Sequence, residues 1–230
     1  MVQHRPHTTV VLAMSADGKI ADFRRSPARF GSNVDRTHLE QQIAAADAVL
    51  LGAGTLRAYG TTLTISQSVL LQHRQQEGKP QQPIHIVITH SGELNPEIQF
   101  FQQSIKRWLL TTTAGAQFWQ GRSEFDQILV FETSTGQIDP IAACQYLDSL
   151  HITRLAVLGG GALVASMLEL DLIDELWLTV CPLILGGQTA PTPVDGQGFL
   201  SKLAPRLQLL EVKTIDQEVF LHYRLQRSVD

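Results

Sequence analysis

A chain of 230 residues, 43% hydrophobic and 17% charged, has the composition of a soluble globular protein with a sizeable core, in one large domain or two small ones. A formal net charge of -4 and a pI near 6 exclude whole-protein attraction to nucleic acid or to an anionic membrane, so any bound phosphate must be held locally. Met1 to Pro6 is polar and lacks a signal core, and no apolar run approaches the length of a membrane span, so the expected compartment is the cytoplasm. Cys144 and Cys181 stand far apart without a Cys-x-x-Cys or a clustered histidine, which points to buried thiols and not to a disulfide or a zinc site.

In chain order, Thr8-Thr-Val-Val-Leu-Ala-Met is β-branched and apolar enough for a buried strand, and it runs into Ser15-Ala-Asp-Gly-Lys-Ile-Ala. Asp17 and Gly18 make a turn that sets a carboxylate and the Lys19 ammonium at the end of a core strand, a common ligand position in α/β proteins. The bland alternative is a solvated turn with an incidental lysine. Asp35 is the expected N-cap of a helix whose Leu39, Ile43 and Ala46 share one face. That helix leads to Asp47-Ala-Val-Leu-Leu-Gly-Ala-Gly-Thr, a second apolar strand ending at glycines, with Thr55-Leu-Arg-Ala-Tyr starting another helix.

Gln67 to Pro83, polar, Gln-rich and closed by prolines, reads as a surface helix or loop. Ile84-His-Ile-Val-Ile is a third buried strand. It ends at Thr89-His-Ser-Gly, either a simple turn or a hydroxyl and imidazole cluster suited to the 2′-phosphate of a nucleotide. Arg107-Trp-Leu-Leu-Thr and Gln127-Ile-Leu-Val-Phe are further strands, with a short helix over Ala114 to Gln120 between them. Asp139 followed by Pro140 starts a helix marked by Ile141, Cys144, Leu147 and Leu150.

The stretch from Leu155 to Leu185 organises the rest. An apolar run stops at Gly159-Gly160-Gly161 and resumes at helical spacing from Ala162 to Leu170, which predicts strand, tight turn and helix. A turn without side chains lets backbone N–H groups approach an anion closely, although three glycines also serve to pack helix on strand. Asp174 to Val180 is a strand closed by Pro182 and Gly186-Gly187; Gln188 to Gly198 is a loop; Leu207 to Val212 and Glu218 to Leu225 alternate as a hairpin. Without repeat or clear linker, the expectation is one α/β domain over residues 1–230, its mostly parallel sheet finished by a C-terminal antiparallel hairpin.

Four motifs in this order resemble a known family. Ser15-x-Asp-Gly-Lys-Ile-Ala, Asp47-Ala-x-Leu-x-Gly-x-Gly-Thr-x-Arg, the triple-glycine turn, and Leu172-Ile-Asp-Glu-Leu followed by a strand, Pro182 and a glycine pair are similar to the pyrimidine reductases of riboflavin biosynthesis. These correspond to the C-terminal domain of the bifunctional deaminase-reductase. The resemblance implies a dihydrofolate-reductase-like three-layer fold and a homodimer. It also implies NADPH-dependent reduction of a phosphorylated pyrimidine, 5-amino-6-(5-phosphoribosylamino)uracil or 2,5-diamino-6-ribosylaminopyrimidinone 5′-phosphate, to its ribityl form. It assigns Lys19 and Asp17 to catalysis, with Ala13 and Ile20 flanking the nicotinamide. Gly54, Thr55 and Gly159, Gly160, Gly161 and Ala162 fall to the pyrophosphate, and Thr89, His90 and Ser91 to the 2′-phosphate. The partner deaminase is absent, since no His-x-Glu with Pro-Cys-x-x-Cys occurs.

The chain departs from the family pattern at three places. Leu158 replaces the usual Glu before the glycines, Tyr59-Gly-Thr replaces Asp-Asn-Pro, and Ser66 replaces an Arg tied to substrate phosphate. Ser32, Asp35 and Arg36 are the candidate replacement contacts to substrate, against ordinary helix capping. The alternatives are a reductase of the same fold with a different small substrate and a nucleotide-binding protein without catalysis.

Overall fold

The computed structural model describes residues 4–227. Its nine strands pair mostly in parallel, with antiparallel pairing at the C-terminus. By contacts the described chain divides into two compact units, residues 4–7 with 40–156 and residues 8–39 with 157–227.

In the first unit, β2 (Ala48–Gly52), β3 (Ile84–Ile88), β4 (Arg107–Thr111) and β5 (Gln127–Val130) pair in parallel. The inner strands are covered on both faces, with Val49, Ile86, Val87 and Leu109 fully buried, whereas the edge strand β5 leaves Ile128 and Val130 exposed. Each such side chain contributes about 1.5–3 kcal/mol over its exposed state. Helix α2 (Ala53–Tyr59) follows β2 directly, capped at its C-terminus by Gly60 in the left-handed region. Helix α3 (Ser68–Gln76) occupies the Gln-rich stretch, but its Arg74 is buried and donates to the Ala44, Ala46 and Pro80 carbonyls at 2.7–2.8 Å. Helix α4 (Thr113–Gln117) is shorter than its sequence suggests. Helix α5 (Pro140–Ser149) starts as expected, Asp139 accepting from the Ile141 and Ala142 amides.

In the second unit, β1 (His7–Ser15) pairs in parallel with β7 (Glu175–Cys181), and β7 and β8 (Arg206–Ile215) flank β9 (Glu218–Gln226) antiparallel. Val11, Trp177 and Phe220 form an apolar cluster on which Val34, Leu39 and Leu158 pack. The second unit resumes at Val157, the last residue of β6 (Arg154–Val157), and runs through Leu158 to the glycine turn and helix α6 (Gly161–Glu169). Helix α1 (Asn33–Ala45) begins two residues before the expected cap. Ser32, not Asp35, is its N-cap: the Ser32 hydroxyl accepts from the Val34 and Asp35 amides, which leaves the Asp35 side chain for other contacts.

Candidate active site

The end of β1 is an ordered turn built on Ser15. Its hydroxyl donates to the Asp17 carboxylate at 2.6 Å and accepts from the Lys19 amide at 2.9 Å, while Gly18 supplies the left-handed φ of +78°. Asp17 also accepts from the Leu185 and Gly186 amides at 3.0 and 2.7 Å. The Ser15 hydroxyl first, then the Leu185 amide, hold the Asp17 carboxyl down to about 2, so it stays ionised. The segment around residues 185–191 lies over this turn, with Ile20 donating to the Pro191 carbonyl at 2.9 Å and the Lys19 ammonium 3.4 Å from the Ala190 carbonyl oxygen. Asp17 thus anchors the covering loop, and Lys19 is half-buried beneath it. Ala13, half-buried, lies opposite Thr179 in the β1–β7 register.

A second group stands at the same strand ends, since Ser15 pairs with Cys181. Glu218 is buried and accepts from the Ser32 amide and hydroxyl at 2.8 and 2.6 Å, with the Cys181 thiol at 3.6 Å. Burial pushes the Asp35 carboxyl up, and Glu218 adds to this, against a hydrogen bond from Thr179 that pulls it down. Burial, then Glu218 and Asp35, push the Cys181 thiol up to about 12, so it is not a thiolate nucleophile. Of the three residues expected at substrate, Ser32 is engaged by Glu218 and the helix cap, Asp35 is half-buried, and Arg36 is exposed.

At the glycine turn, Gly159 has φ +90° and the Gly159–Gly160 peptide is cis. Gly160 caps α6 without a side chain of its own to take the first amides of this helix, an arrangement that fits a phosphate. Gly161 is glycine for a different reason. A Cβ there would strike the Thr192 carbonyl oxygen and the Asp195 carboxylate, which Thr192 fixes with amide and hydroxyl bonds of 2.9 Å. The Cα side of Gly161 is therefore closed by protein.

In the first unit, the expected nucleotide contacts separate into three kinds. A Cβ on Gly54 would meet nothing within 4 Å, leaving open space beside the backbone next to Thr55. Thr89 is buried in the sheet, its carbonyl accepting from the Thr111 hydroxyl at 2.6 Å. His90 contacts the Gly136 carbonyl at 2.9 Å. Ser91 opens onto a groove of about 490 Å³ that also shows Arg57, Glu93, Leu94, Asn95 and Phe118. Arg57 lies inside the Gly-x-Gly-Thr-x-Arg motif, whose spacing alone gives it no role. Asp195 and Glu218 reach their sites from remote segments and carried no local signal.

Residues 6–221 match the family described as the RibD C-terminal domain. This chain belongs to that family. It is 28% identical over 199 residues to the 2,5-diamino-6-ribosylamino-4(3H)-pyrimidinone 5′-phosphate reductase of Archaeoglobus fulgidus, covering 86% of this chain and 90% of that one. Among solved structures, a pyrimidine reductase-like protein from Corynebacterium diphtheriae superposes with a TM-score of 0.82 at 20% identity, over 97% of this chain and 93% of the other. Dihydrofolate reductase from Enterococcus faecalis superposes at 0.51 and 14% identity over 98% of each chain. The fold is thus that of the RibD C-terminal domain and dihydrofolate reductase. Two of the departures from this family's pattern have local partners: Leu158 packs on the apolar cluster, and Ser66 donates from its amide and hydroxyl to the buried Glu40. No helix among the described residues is long and apolar enough to cross a membrane.

Proposed function

We propose that this chain is an oxidoreductase of riboflavin biosynthesis that uses NADPH to reduce 2,5-diamino-6-ribosylamino-4(3H)-pyrimidinone 5′-phosphate, acting as one reductase domain over residues 1–230. The observation that carries this reading is the family match across residues 6–221, which includes the Ser15 to Ala21 turn with Lys19 at a strand end. NADPH supplies the hydride that converts the ribosylamino group to ribitylamino. Lys19, an ammonium, stabilises the negative charge that develops on the ribose oxygen as hydride adds to the reacting carbon and the bond between that carbon and the oxygen breaks, and Asp17, kept ionised, holds the loop that covers Lys19 and excludes water from it. In the second unit the backbone of Gly159 to Ala162 is the proposed pyrophosphate contact, supported by the bare cap of α6; in the first unit Gly54 and Thr55 are proposed as nucleotide contacts, supported by the open space beside Gly54, and Thr89 to Ser91 as contacts to the 2′-phosphate.

A homodimer is the proposed working state, supported by the two exposed faces of β8, where Leu207, Leu209, Val212 and Ile215 are 39–52% exposed. Buried thiols at Cys144 and Cys181 suit a reducing compartment, and we place the protein in the cytoplasm. The partners of Leu158 and Ser66 favour a second reading, the same hydride chemistry on a different small substrate.

Loss of NADPH absorbance with the ribosylamino pyrimidinone phosphate tests the reading. Lys19→Met is expected to lower turnover about a hundred- to thousandfold, while NADPH still raises the melting temperature. Absence of oxidation by the wild-type protein with this substrate overturns the substrate assignment, and full turnover by Lys19→Met removes the lysine from the chemistry.

A further inference from the structure

The groove beside Ser91 brings two opposite charges to one place. In the β2–β3 register Gly52 lies opposite Ile88, so α2 and the segment after β3 leave the sheet at the same edge. Arg57 comes from α2, and one of its Nη atoms donates to the Glu93 carbonyl at 2.9 Å. This bond fixes the guanidinium while leaving most of its five N–H donors available, and among the described residues no carboxylate pairs with it. Ser91 and Asn95 add a hydroxyl and an amide to the lining, and the 39% exposed Phe118 adds an aromatic ring. A tethered cation, small hydrogen-bonding groups and an aromatic surface suit an adenosine that carries a phosphate on its ribose. Glu93, an exposed carboxylate residue, lines the same groove. A carboxylate accepts from a ribose 2′-hydroxyl and repels a 2′-phosphate, so it favours the other nicotinamide dinucleotide.

We propose that Arg57 and Glu93 act in opposition at this groove to set the choice between NADPH and NADH, Arg57 clamping the 2′-phosphate and Glu93 selecting the unphosphorylated ribose. The inference rests on the reading of the chain as a nicotinamide-dependent reductase. The full chain is titrated with NADPH and NADH, and with adenosine 2′,5′-bisphosphate and AMP, which carry the adenosine end alone. Hydrogen bonds to a charged group predict that Arg57→Leu weakens NADPH and the bisphosphate about 10- to 150-fold, with NADH and AMP bound as by the wild type. Arg57→Lys keeps the charge without the fork and falls between the two. Glu93→Gln tightens NADPH and weakens NADH, and added salt lowers the NADPH affinity of the wild type more than its NADH affinity. NADPH binding that is unchanged in Arg57→Leu and Arg57→Lys, or that falls by the same factor as NADH binding, overturns the groove assignment and leaves the reductase reading standing. A wild-type chain that binds neither dinucleotide overturns both.

Discussion

Replacing Leu158 with glutamate is expected to destabilise the protein. Leu158 is half-buried against Val11, Trp177 and Phe220, which are 5%, 9% and 2% exposed, with Val34 and Leu39 on the same cluster. Half of a full leucine burial is about 1 kcal/mol. A carboxyl held among these side chains has its pKa raised, and a rise of about two units costs about 2.7 kcal/mol at neutral pH. The sum, about 3–4 kcal/mol, corresponds to roughly 6–16 °C for a chain of this size. The sign of its pH dependence follows. The introduced carboxyl has a folded pKa above its unfolded value, so the penalty is absent below the unfolded pKa, near 4.3, and complete above the folded one. Melting curves of Leu158→Glu and wild type at pH 8 and pH 5 should therefore converge toward the lower pH, while Leu158→Gln keeps a constant deficit. Subtracting the wild-type curve removes the contribution of His38, whose ring meets Trp177 and Phe220 and whose pKa burial lowers. A Leu158→Glu protein that melts with the wild type at both pH values would refute the packing argument.

Glu40→Gln should cost about 1.5–3 kcal/mol at pH 7 by urea titration, because Glu40 accepts from the Ser66 and Gln67 amides at 2.5 and 2.7 Å. Burial raises the Glu40 carboxyl, but the Gln67 and Ser66 amides outweigh it and leave the pKa depressed; the advantage of the wild type over the Glu40→Gln variant should therefore shrink as pH falls below the usual carboxylate range. Gly161→Ala should lower the melting temperature by the equivalent of about 1–3 kcal/mol, since its methyl group meets the Thr192 carbonyl; an unchanged melting point would show that the loop carrying Thr192 and Asp195 yields freely.

The elements that were legible in the sequence are those whose signal is local. The Asp139 cap with Pro140, the uninterrupted apolar run of β2 and the alternating hairpin each depend on neighbours within a few positions, and each formed where expected. The first cap of α1 shows where that reasoning stops. Ser32 and Asp35 both have capping side chains, and the choice between them depends on Glu218, 186 residues away, which receives the Ser32 amide and hydroxyl and so holds Ser32 at the helix start. The Gln-rich stretch had the composition of a surface segment, yet Arg74 is buried there because three carbonyls, two of them at the end of α1 and beyond it, converge on its guanidinium.

The same distinction separates the readable part of the site from the rest. Lys19 and the glycine turn were visible because the residues that shape them are adjacent: Ser15 orders the first turn through Asp17 and the Lys19 amide, and Gly159 and Gly160 supply the second. What stood outside sequence reasoning is the closure around them. Asp17 spends its carboxylate on Leu185 and Gly186, and Asp195 closes the Cα side of Gly161, so both turns owe their surroundings to the 183–195 segment, whose composition signalled only a loop. Leu158 and Ser66 follow the same logic from the opposite direction. Read singly, each was a missing polar contact to substrate; placed in the fold, one completes an apolar cluster and the other satisfies a buried carboxylate. Substitutions that acquire new partners in this way are maintained by packing and hydrogen bonding, so restoring the usual residues would remove those contacts before it added any to a substrate.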